Sequence, residues 1–269
     1  MLKDISDFKI GLFADSIVGL RTTEFLIKNH ITDLGFICVA KQDSPIIQKS
    51  IDWGFDLRKI YVYDDIKIKW DQNKFDYFIL SWWPYIVDAS LFNIPKIGTL
   101  NFHPSLLPFN RGKHPTFWNI IEEVPYGVTI HFVDEGIDTG DIIFQKNIEK
   151  NWEDTGESLY KKAIIEIVRL FIENYDAIRN GSYKRIKQPD GGSFHYAAEM
   201  KKCLEIHLDE KYTSRELFNL LRAKKFSDSP KCYFYADKNK YEIEISITPP
   251  PPNCLITGEL SRFQKRHAA

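Results

Sequence analysis

Short apolar runs punctuate the first 150 residues, at 8–13, 34–40, 59–63, 77–82, 98–102, 127–133 and 141–145. Each is short and rich in β-branched and aromatic residues, the pattern of a buried strand. Between the early runs, Val18, Leu20, Phe25 and Leu26, then Ile46, Ile47 and Ile51, recur with helical spacing. Alternation of this kind predicts a parallel sheet covered by helices, a Rossmann-like α/β domain. From 155 to 179, Leu159, Ala163, Ile164, Ile167, Leu170 and Phe171 return every three or four residues. One long amphipathic helix is expected there, ending on Asn180-Gly181 as its C-terminal cap.

Past the turn at Pro189, Asp190, Gly191 and Gly192 the pattern changes. A helix is expected over 213–224, with Thr213 and Glu216 in capping-box register. Strands are expected at 231–235 and 241–247, joined through 237–240. The fold class is therefore α/β, with a domain over 1–185, a small helix-and-hairpin subdomain over 186–250, and a flexible tail over 251–269. Pro249 to Pro252 reads as extended polyproline, and no internal repeat is visible.

Composition narrows the partners. Lysine plus arginine total 36 against 37 acidic residues, so no overall basic field is available to hold a polyanion, and nucleic acid is not expected. Cys38, Cys203, Cys232 and Cys254 stand apart, with no CxxC pair and no histidine at zinc-finger spacing, the usage of reduced thiols in a cytoplasmic protein. No window approaches the roughly 18 uninterrupted apolar residues of a spanning helix, so neither membrane insertion nor secretion is expected.

The chemistry gathers in 97–141. Asn101 and His103, two apart on the strand predicted at 98–102, point to the same side and emerge at its carboxyl end, where α/β sheets bind ligands. An amide donor beside an imidazole suits attack on a carbonyl: one bonds a developing oxyanion, the other takes a proton near neutral pH. Asp138 lies in the glycine-containing loop 134–140 and is the carboxylate that would orient the imidazole, although the same loop would also serve as a plain turn. His131, mid-strand, reads as structural, and His114 as a loop residue. His195 would stabilise the 191–195 turn or meet a substrate. His30, His207 and His267 show nothing specific.

The motifs Asn101-Phe102-His103-Pro104-Ser105-Leu106-Leu107-Pro108, Arg111-Gly112, Gly127-Val128-Thr129 and Asp138-Thr139-Gly140-Asp141 together resemble the signature of the folate-dependent formyltransferases. The resemblance implies a Rossmann-like formyltransferase catalytic domain, N10-formyltetrahydrofolate as co-substrate, an amine acceptor and no metal. It implies that Asn101 stabilises the oxyanion, His103 handles the proton at the reacting centre, and Asp138 holds His103. The family's folate pocket maps onto Trp82, Trp83, Pro84, Tyr85 and Ile86 on one side and Val133, Asp134 and Gly136 on the other. Either tryptophan would also suit an ordinary core.

The acceptor is approached by elimination within the family. The segment 13–19 lacks the Gly-rich phosphate loop of glycinamide ribonucleotide transformylase, and the segment after Gly192 does not resemble the basic barrel of methionyl-tRNA formyltransferase. The region 191–235 resembles the sugar N-formyltransferase group. There Arg222, Lys224 and Lys225 stand near Phe226, Tyr233 and Tyr235, cations suited to a diphosphate and rings suited to a pyrimidine, or else a solvated helix face. Arg111 and Lys113 are further candidates for the acceptor's phosphates. The expected activity is formylation of a dTDP-linked 3- or 4-amino-dideoxyhexose for O-antigen, lipopolysaccharide or other surface-glycan assembly, by a homodimer joined through 233–247. The alternatives are methionyl-tRNA formyltransferase and a catalytically silent folate- or nucleotide-binding module.

Overall fold

The computed structural model describes residues 7–63, 74–227 and 230–249. The tail expected over 251–269, with Cys254, His267 and all but the first proline of the 249–252 run, lies outside the described residues.

A seven-stranded sheet organises the chain. Its strands are β1 (Ile10–Ala14), β2 (Leu34–Val39), β3 (Ile60–Val62), β4 (Tyr77–Ser81), β5 (Gly98–His103), β7 (Gly127–Phe132) and β8 (Ile142–Asn147), in the order β3-β2-β1-β4-β5-β7-β8. Neighbours from β3 to β5 pair parallel, whereas β7 runs antiparallel to both β5 and β8. Side chains alternate between two apolar layers, as the pleat requires. Ile10, Leu12, Ile37, Val39, Tyr77 and Ile79 enter one layer; Phe13, Phe36, Cys38, Phe78 and Leu80 enter the other.

The first layer is covered by α1 (Ser16–His30), α2 (Pro45–Asp52) and the long α5 (Gly156–Asn180). Helix α5 starts at a capping box between Thr155 and Ser158 and stops at Gly181, whose φ of 68° is the left-handed conformation glycine adopts without a Cβ penalty. Its buried stripe, which includes Leu159, Ala163, Ile167, Phe171, Tyr175 and Ile178, seats it on the sheet. Each large side chain so buried contributes about 1.5–3 kcal/mol. Tyr175 Oη and Arg179 Nε both donate to the buried carboxylate of Asp33, at 3.0 and 2.8 Å, tying the helix to the approach to β2.

The second layer is closed by α3 (Ala89–Phe92) and the loop before it, with Trp83, Val87 and Phe92 buried on the phenylalanine face. Two short strands, β6 (Arg111–Gly112) and β9 (Phe194–His195), pair parallel and fasten the chain beyond α5 to the loop after β5. Helices α4 (Pro115–Ile121) and α6 (Ala197–Lys202), like β6 and β9, carry no hydrophobic period long enough to read from the sequence. Helix α7 (Ser214–Ala223) carries the Thr213–Glu216 capping box and packs against α4 and α5.

The final hairpin differs from the expected one. Its strands are β10 (Cys232–Ala236) and β11 (Asn239–Ile243), joined by Asp237 and Lys238 alone. Both turn residues have positive φ, 49° and 66°, the two-residue geometry that matches strand twist. Lysine gives no sequence signal for such a turn, which is why the longer connection 237–240 was expected. Among the described residues no helix is long and apolar enough to cross a membrane.

Candidate active site

Strand β5 positions the first two polar groups. Phe102 enters the core against Phe171, which turns Asn101 and His103 to the opposite face. The loop that follows is fastened by Thr129, whose Oγ1 donates to Ser105 O at 2.7 Å and accepts from Leu107 N at 3.2 Å. Gln145 Nε2 donates to Leu107 O at 2.8 Å. The chain then reverses at Asn110, which has φ 55° and is fully buried.

The carboxylate arrives on the loop between β7 and β8. Asp134 Oδ1 accepts from Gly136 N at 3.1 Å and Thr139 Oγ1 at 2.6 Å, curling the loop. Asp138 sits at φ 55°, which aspartate tolerates better than most residues. Gln188 Nε2 donates to the carbonyls of both Asp138 and Gly140, at 2.8 and 2.9 Å, so a residue beyond α5 clamps this turn. Gly140 leaves no space for a side chain: a Cβ would lie 2.0 Å from Phe132 O.

The two segments meet at the Asp138 carboxylate. Oδ1 accepts from Asn101 Nδ2 at 3.1 Å, and Oδ2 accepts from Gly112 N at 2.9 Å. His103 Nδ1 stands 3.4 Å from Oδ2. Gly112 has φ 87°, and a Cβ there would fall 2.4 Å from His195 O. Any side chain would separate β6 from β9 and withdraw the backbone donor from Asp138.

His131 also belongs to this group. It lies directly across the β5–β7 ladder from Asn101, with Nε2 3.3 Å from Asn101 Nδ2 and 3.4 Å from Asp138 Oδ1. The structural reading of this mid-strand histidine is incomplete, because only the register of two strands distant in sequence reveals its neighbours.

Hydrogen-bond partners assign the protons. The carbonyl of Asn110 can only accept, so His103, at 3.0 Å, carries a proton on Nε2 and presents a lone pair at Nδ1. The carbonyl of Phe132 takes the Nδ1 proton of His131 at 2.8 Å, and Nε2 of that ring faces both Asn101 Nδ2 and Asp138 Oδ1. Burial pushes the His103 pKa below that of an ordinary imidazole, partly opposed by the charge of Asp138. Burial pushes Asp138 up, but His103, His131 and the Gly112 N–H outweigh it and hold the carboxyl well below the usual range. The resting pair is a neutral imidazole beside a carboxylate. A proton reaching Nδ1 of His103 is met at once by negative charge.

A cavity of about 880 Å³ opens over this group. Its wall includes all the residues expected at a folate pocket, Trp82, Trp83, Pro84, Tyr85 and Ile86 facing Val133, Asp134 and Gly136. Trp83 is both core and wall, packed edge-on to Phe13, and its buried indole N–H has no partner among the described residues. The wall also holds Tyr160, in ring contact with Trp82 at 5.2 Å and with Phe226 at 6.2 Å, together with Lys113 and His114. Burial lowers the His114 pKa, followed by the charges of Lys224 and Lys113. Tyr160 and His114 were not singled out as site residues. Tyr160 lies on α5, whose period reports only its core face.

The remaining expected contacts lie elsewhere. Arg111 is absent from the cavity wall, its backbone N–H held by Ser193 O at 2.9 Å. Arg222 is buried: Nε donates to Asn219 Oδ1 at 2.9 Å, and Nη1 to the carbonyls of Asn151 and Asp154 at 3.0 and 3.1 Å. The loop before α5 needs a forked donor for those carbonyls, and Arg222 supplies it under the ring of Trp152. Lys224 is buried at the end of α7 near Cys232. Tyr233 lies in β10 beneath Lys240, outside the cavity. His195, placed between Glu122 and Glu199, lines the wall beside Phe194.

Residues 46–173 match the formyl transferase family model, and 199–249 match the N-formyltransferase dimerization C-terminal domain. The dTDP-4-amino-4,6-dideoxyglucose formyltransferase of Mycobacterium bovis is 32% identical over 162 residues, 59% of this chain and 68% of that protein. The chain belongs to the formyltransferase family. The crystal structure of a 4-N formyltransferase from Francisella tularensis superposes with a TM-score of 0.77 at 28% identity, covering 91% of this chain and 100% of that one. A formyltransferase from Anoxybacillus kamchatkensis, solved with UDP-4,6-dideoxy-4-formamido-L-AltNAc and tetrahydrofolate, superposes at 0.54 with 29% identity over 72% of this chain and 88% of that one. Methionyl-tRNA formyltransferases also match, but this formyltransferase chain spans only about half their length: 38% identity to that of Thermodesulfovibrio yellowstonii extends over 51% of this chain and 44% of the relative.

Proposed function

We propose that the protein transfers a formyl group from N10-formyltetrahydrofolate to the amine of a nucleotide-linked amino-dideoxyhexose, with Asn101, His103 and Asp138 as the catalytic residues. The observation that carries this reading is His103 Nδ1 held 3.4 Å from the Asp138 carboxylate, both in the wall of a large cavity.

The folate donor supplies an activated formyl carbon and a nitrogen leaving group. Its heterocycle is assigned to the shelf 82–86 facing 133–138, an apolar wall with polar groups at its edge. His103 Nδ1 takes a proton as the acceptor amine forms its C–N bond, and Asp138 stabilises the resulting imidazolium. The same proton then returns to the leaving nitrogen. Asn101 faces the same side of β5 as His103 and donates to the oxygen that gains charge. Both hydrogens of its amide are engaged at rest, and the longer contact, 3.3 Å to His131, is the one to release.

Lys113, Tyr160 and Phe226 are the groups proposed to meet the nucleotide end of the acceptor: a cation for phosphate and rings for the base. The mycobacterial relative favours a dTDP-linked 4-amino sugar, the substrate in its name, over a UDP-linked or 3-amino one. The match of 199–249 to the dimerization domain supports a homodimer through the hairpin, where Tyr235 and Tyr241 are exposed, and favours a sugar acceptor over tRNA. Such a product fits surface-glycan assembly.

The test is formyl transfer followed by mass spectrometry, against dTDP- and UDP-linked 3- and 4-amino sugars and charged initiator tRNA. Gain of one formyl group on a sugar nucleotide is expected. Activity on tRNA alone transfers the reading to the tRNA enzymes, and none on any acceptor leaves a binding module. Light scattering after size exclusion should show a dimer at micromolar protein; a monomer removes the hairpin interface.

A further inference from the structure

We propose that Glu122, at the end of α4, is a positioning residue for His103 and Asp138, a role that rests on the catalytic reading above. Its carboxylate gathers three donors. Oε2 accepts from Asn110 Nδ2 and Ser193 Oγ, each at 2.6 Å, and Oε1 receives His195 Nε2 at 2.6 Å. Charge-assisted bonds this short are the strong ones.

Each donor leads to a catalytic group. Asn110 carries the carbonyl that holds His103 Nε2, and so fixes which nitrogen of that ring bears the proton. Asn110 is otherwise held by its neighbours: its N–H and Nδ2 reach Ser193 Oγ at 3.0 and 3.2 Å, and Asn119 Nδ2 meets its Oδ1 at 3.4 Å. A residue in the left-handed region inside the core persists only where its surroundings enforce it. Glu122 anchors both Asn110 and Ser193, the side chains that do so.

The other branch runs through His195. Its ring is stacked on Trp118 at 3.9 Å, with Glu199 on Nδ1 at 3.0 Å. His195 pairs with Gly112 across β9 and β6, and its carbonyl accepts from Lys113 N at 3.0 Å. Gly112 N is the donor to Asp138 Oδ2. One carboxylate therefore supports the partner of His103 and the partner of Asp138 at once, from the far side of the loop.

Replacing Glu122 with glutamine keeps the size but lets only one oxygen accept, so at least one donor is stranded. The loop around Asn110 loosens, His103 becomes better hydrated, and its titration moves up toward an ordinary imidazole despite the groups that face it, Asp138, His131 and Lys113. Imidazole 15N–1H spectra should show His103 of the wild type as the Nε2–H tautomer with depressed titration, and in Glu122→Gln a mixed tautomer titrating at higher pH. With the acceptor found by the transfer assay, kcat should fall about tenfold with both KM values within about twofold. Ser193→Ala, which strands fewer groups, should move the titration the same way and cost about threefold in kcat, should the first variant fold poorly. A His103 titration and tautomer unchanged in both variants overturns the proposal, as does a loss confined to melting temperature. Absence of transfer by the wild type defeats the catalytic reading instead, while the spectra still decide the positioning.

Discussion

The two ends of the cavity are built on opposite principles. At the catalytic end Asn101, His103, His131 and Asp138 are joined by backbone and side-chain partners, and three of the four side chains are at most 12% exposed. Away from it, Lys113 and His114 are exposed, with Lys113 Nζ reaching Pro84 O at 3.5 Å, and Tyr160 meets both Trp82 and Phe226 through ring contacts alone. A proton transfer requires donors and acceptors fixed within fractions of an ångström before the substrate arrives. Recognition of a polar ligand leaves its partners to be completed on binding. Changes at the first end should therefore act on kcat, and changes at the second on KM.

The largest expected effect breaks the catalytic end directly. His103→Ala and Asp138→Asn should each lower kcat on the order of a thousandfold while leaving KM nearly unchanged, as for groups used chiefly in the transition state. Comparable turnover in either variant removes its assigned role. In the wild type, burial depresses His103, so its base form persists below the ordinary imidazole value of 6.5, and the acid limb of kcat/KM set by this residue should lie below that pH. Asp138 raises the His103 pKa, so in Asp138→Asn the limb of the residual activity should move further down. The Asp138 carboxyl is depressed in the folded protein. Its contribution to stability is therefore present above the unfolded value of about 3.9 and lost as pH falls through the folded value. The melting-temperature gap between wild type and Asp138→Asn should be full near neutrality and begin to narrow only below about pH 4.

A smaller effect at the same end tests whether the loop matters as well as its carboxylate. Gln188→Leu leaves the carbonyls of Asp138 and Gly140 without their donor, and should cost about tenfold to thirtyfold in kcat by letting the Asp138 turn relax. KM values that rise instead, at constant kcat, would move Gln188 to substrate binding.

The same contrast governs what could be read from the sequence. Asn101 and His103 were legible because strand geometry alone puts residues two apart on one face, and the parallel half of the sheet because its helices and strands have different periods. The long helix was legible from cap to cap. His131, Glu122 and Gln188 were not, since their meaning depends on approaches of chain segments 30, 12 and 50 residues apart. Arg222 suits a diphosphate or a solvated face equally well in sequence, because a cation on an amphipathic helix looks the same whether it meets substrate, solvent or a loop carbonyl. The Asp237-Lys238 turn was lengthened for a similar reason: its left-handed backbone comes from strand pairing, not from a glycine.

At the open end, Phe226→Ala should raise KM for the nucleotide sugar about fivefold to tenfold, the scale of one lost aromatic contact, with kcat and KM for the folate within about twofold. Phe226 also lies 2.6 Å from where a Cβ on Gly156 would stand, so it supports the start of α5, and the variant's melting temperature must be measured alongside. A kcat loss larger than the KM change would make this end part of the chemistry and end the separation drawn above.

The smallest kinetic effect is expected at the residue that charge alone makes the most attractive phosphate ligand. Arg222→Met keeps the length of the stem over Trp152 but removes the donors that satisfy Asn219, Asn151 and Asp154. Stranding buried carbonyls costs about 1–3 kcal/mol, which for a domain of this size lowers the melting temperature by roughly 2–12 °C. Because the guanidinium lies outside the cavity wall, KM for the nucleotide sugar should stay within twofold and its dependence on salt should not change. A fivefold rise in KM with unaltered stability would place Arg222 at the diphosphate after all. It would require α7 to rearrange when substrate binds, so that the open end of the cavity extends under this helix. The expected pattern, lost stability with intact binding, instead confines phosphate recognition to Lys113 and its neighbours, and leaves α7 as the brace that holds the loop before α5.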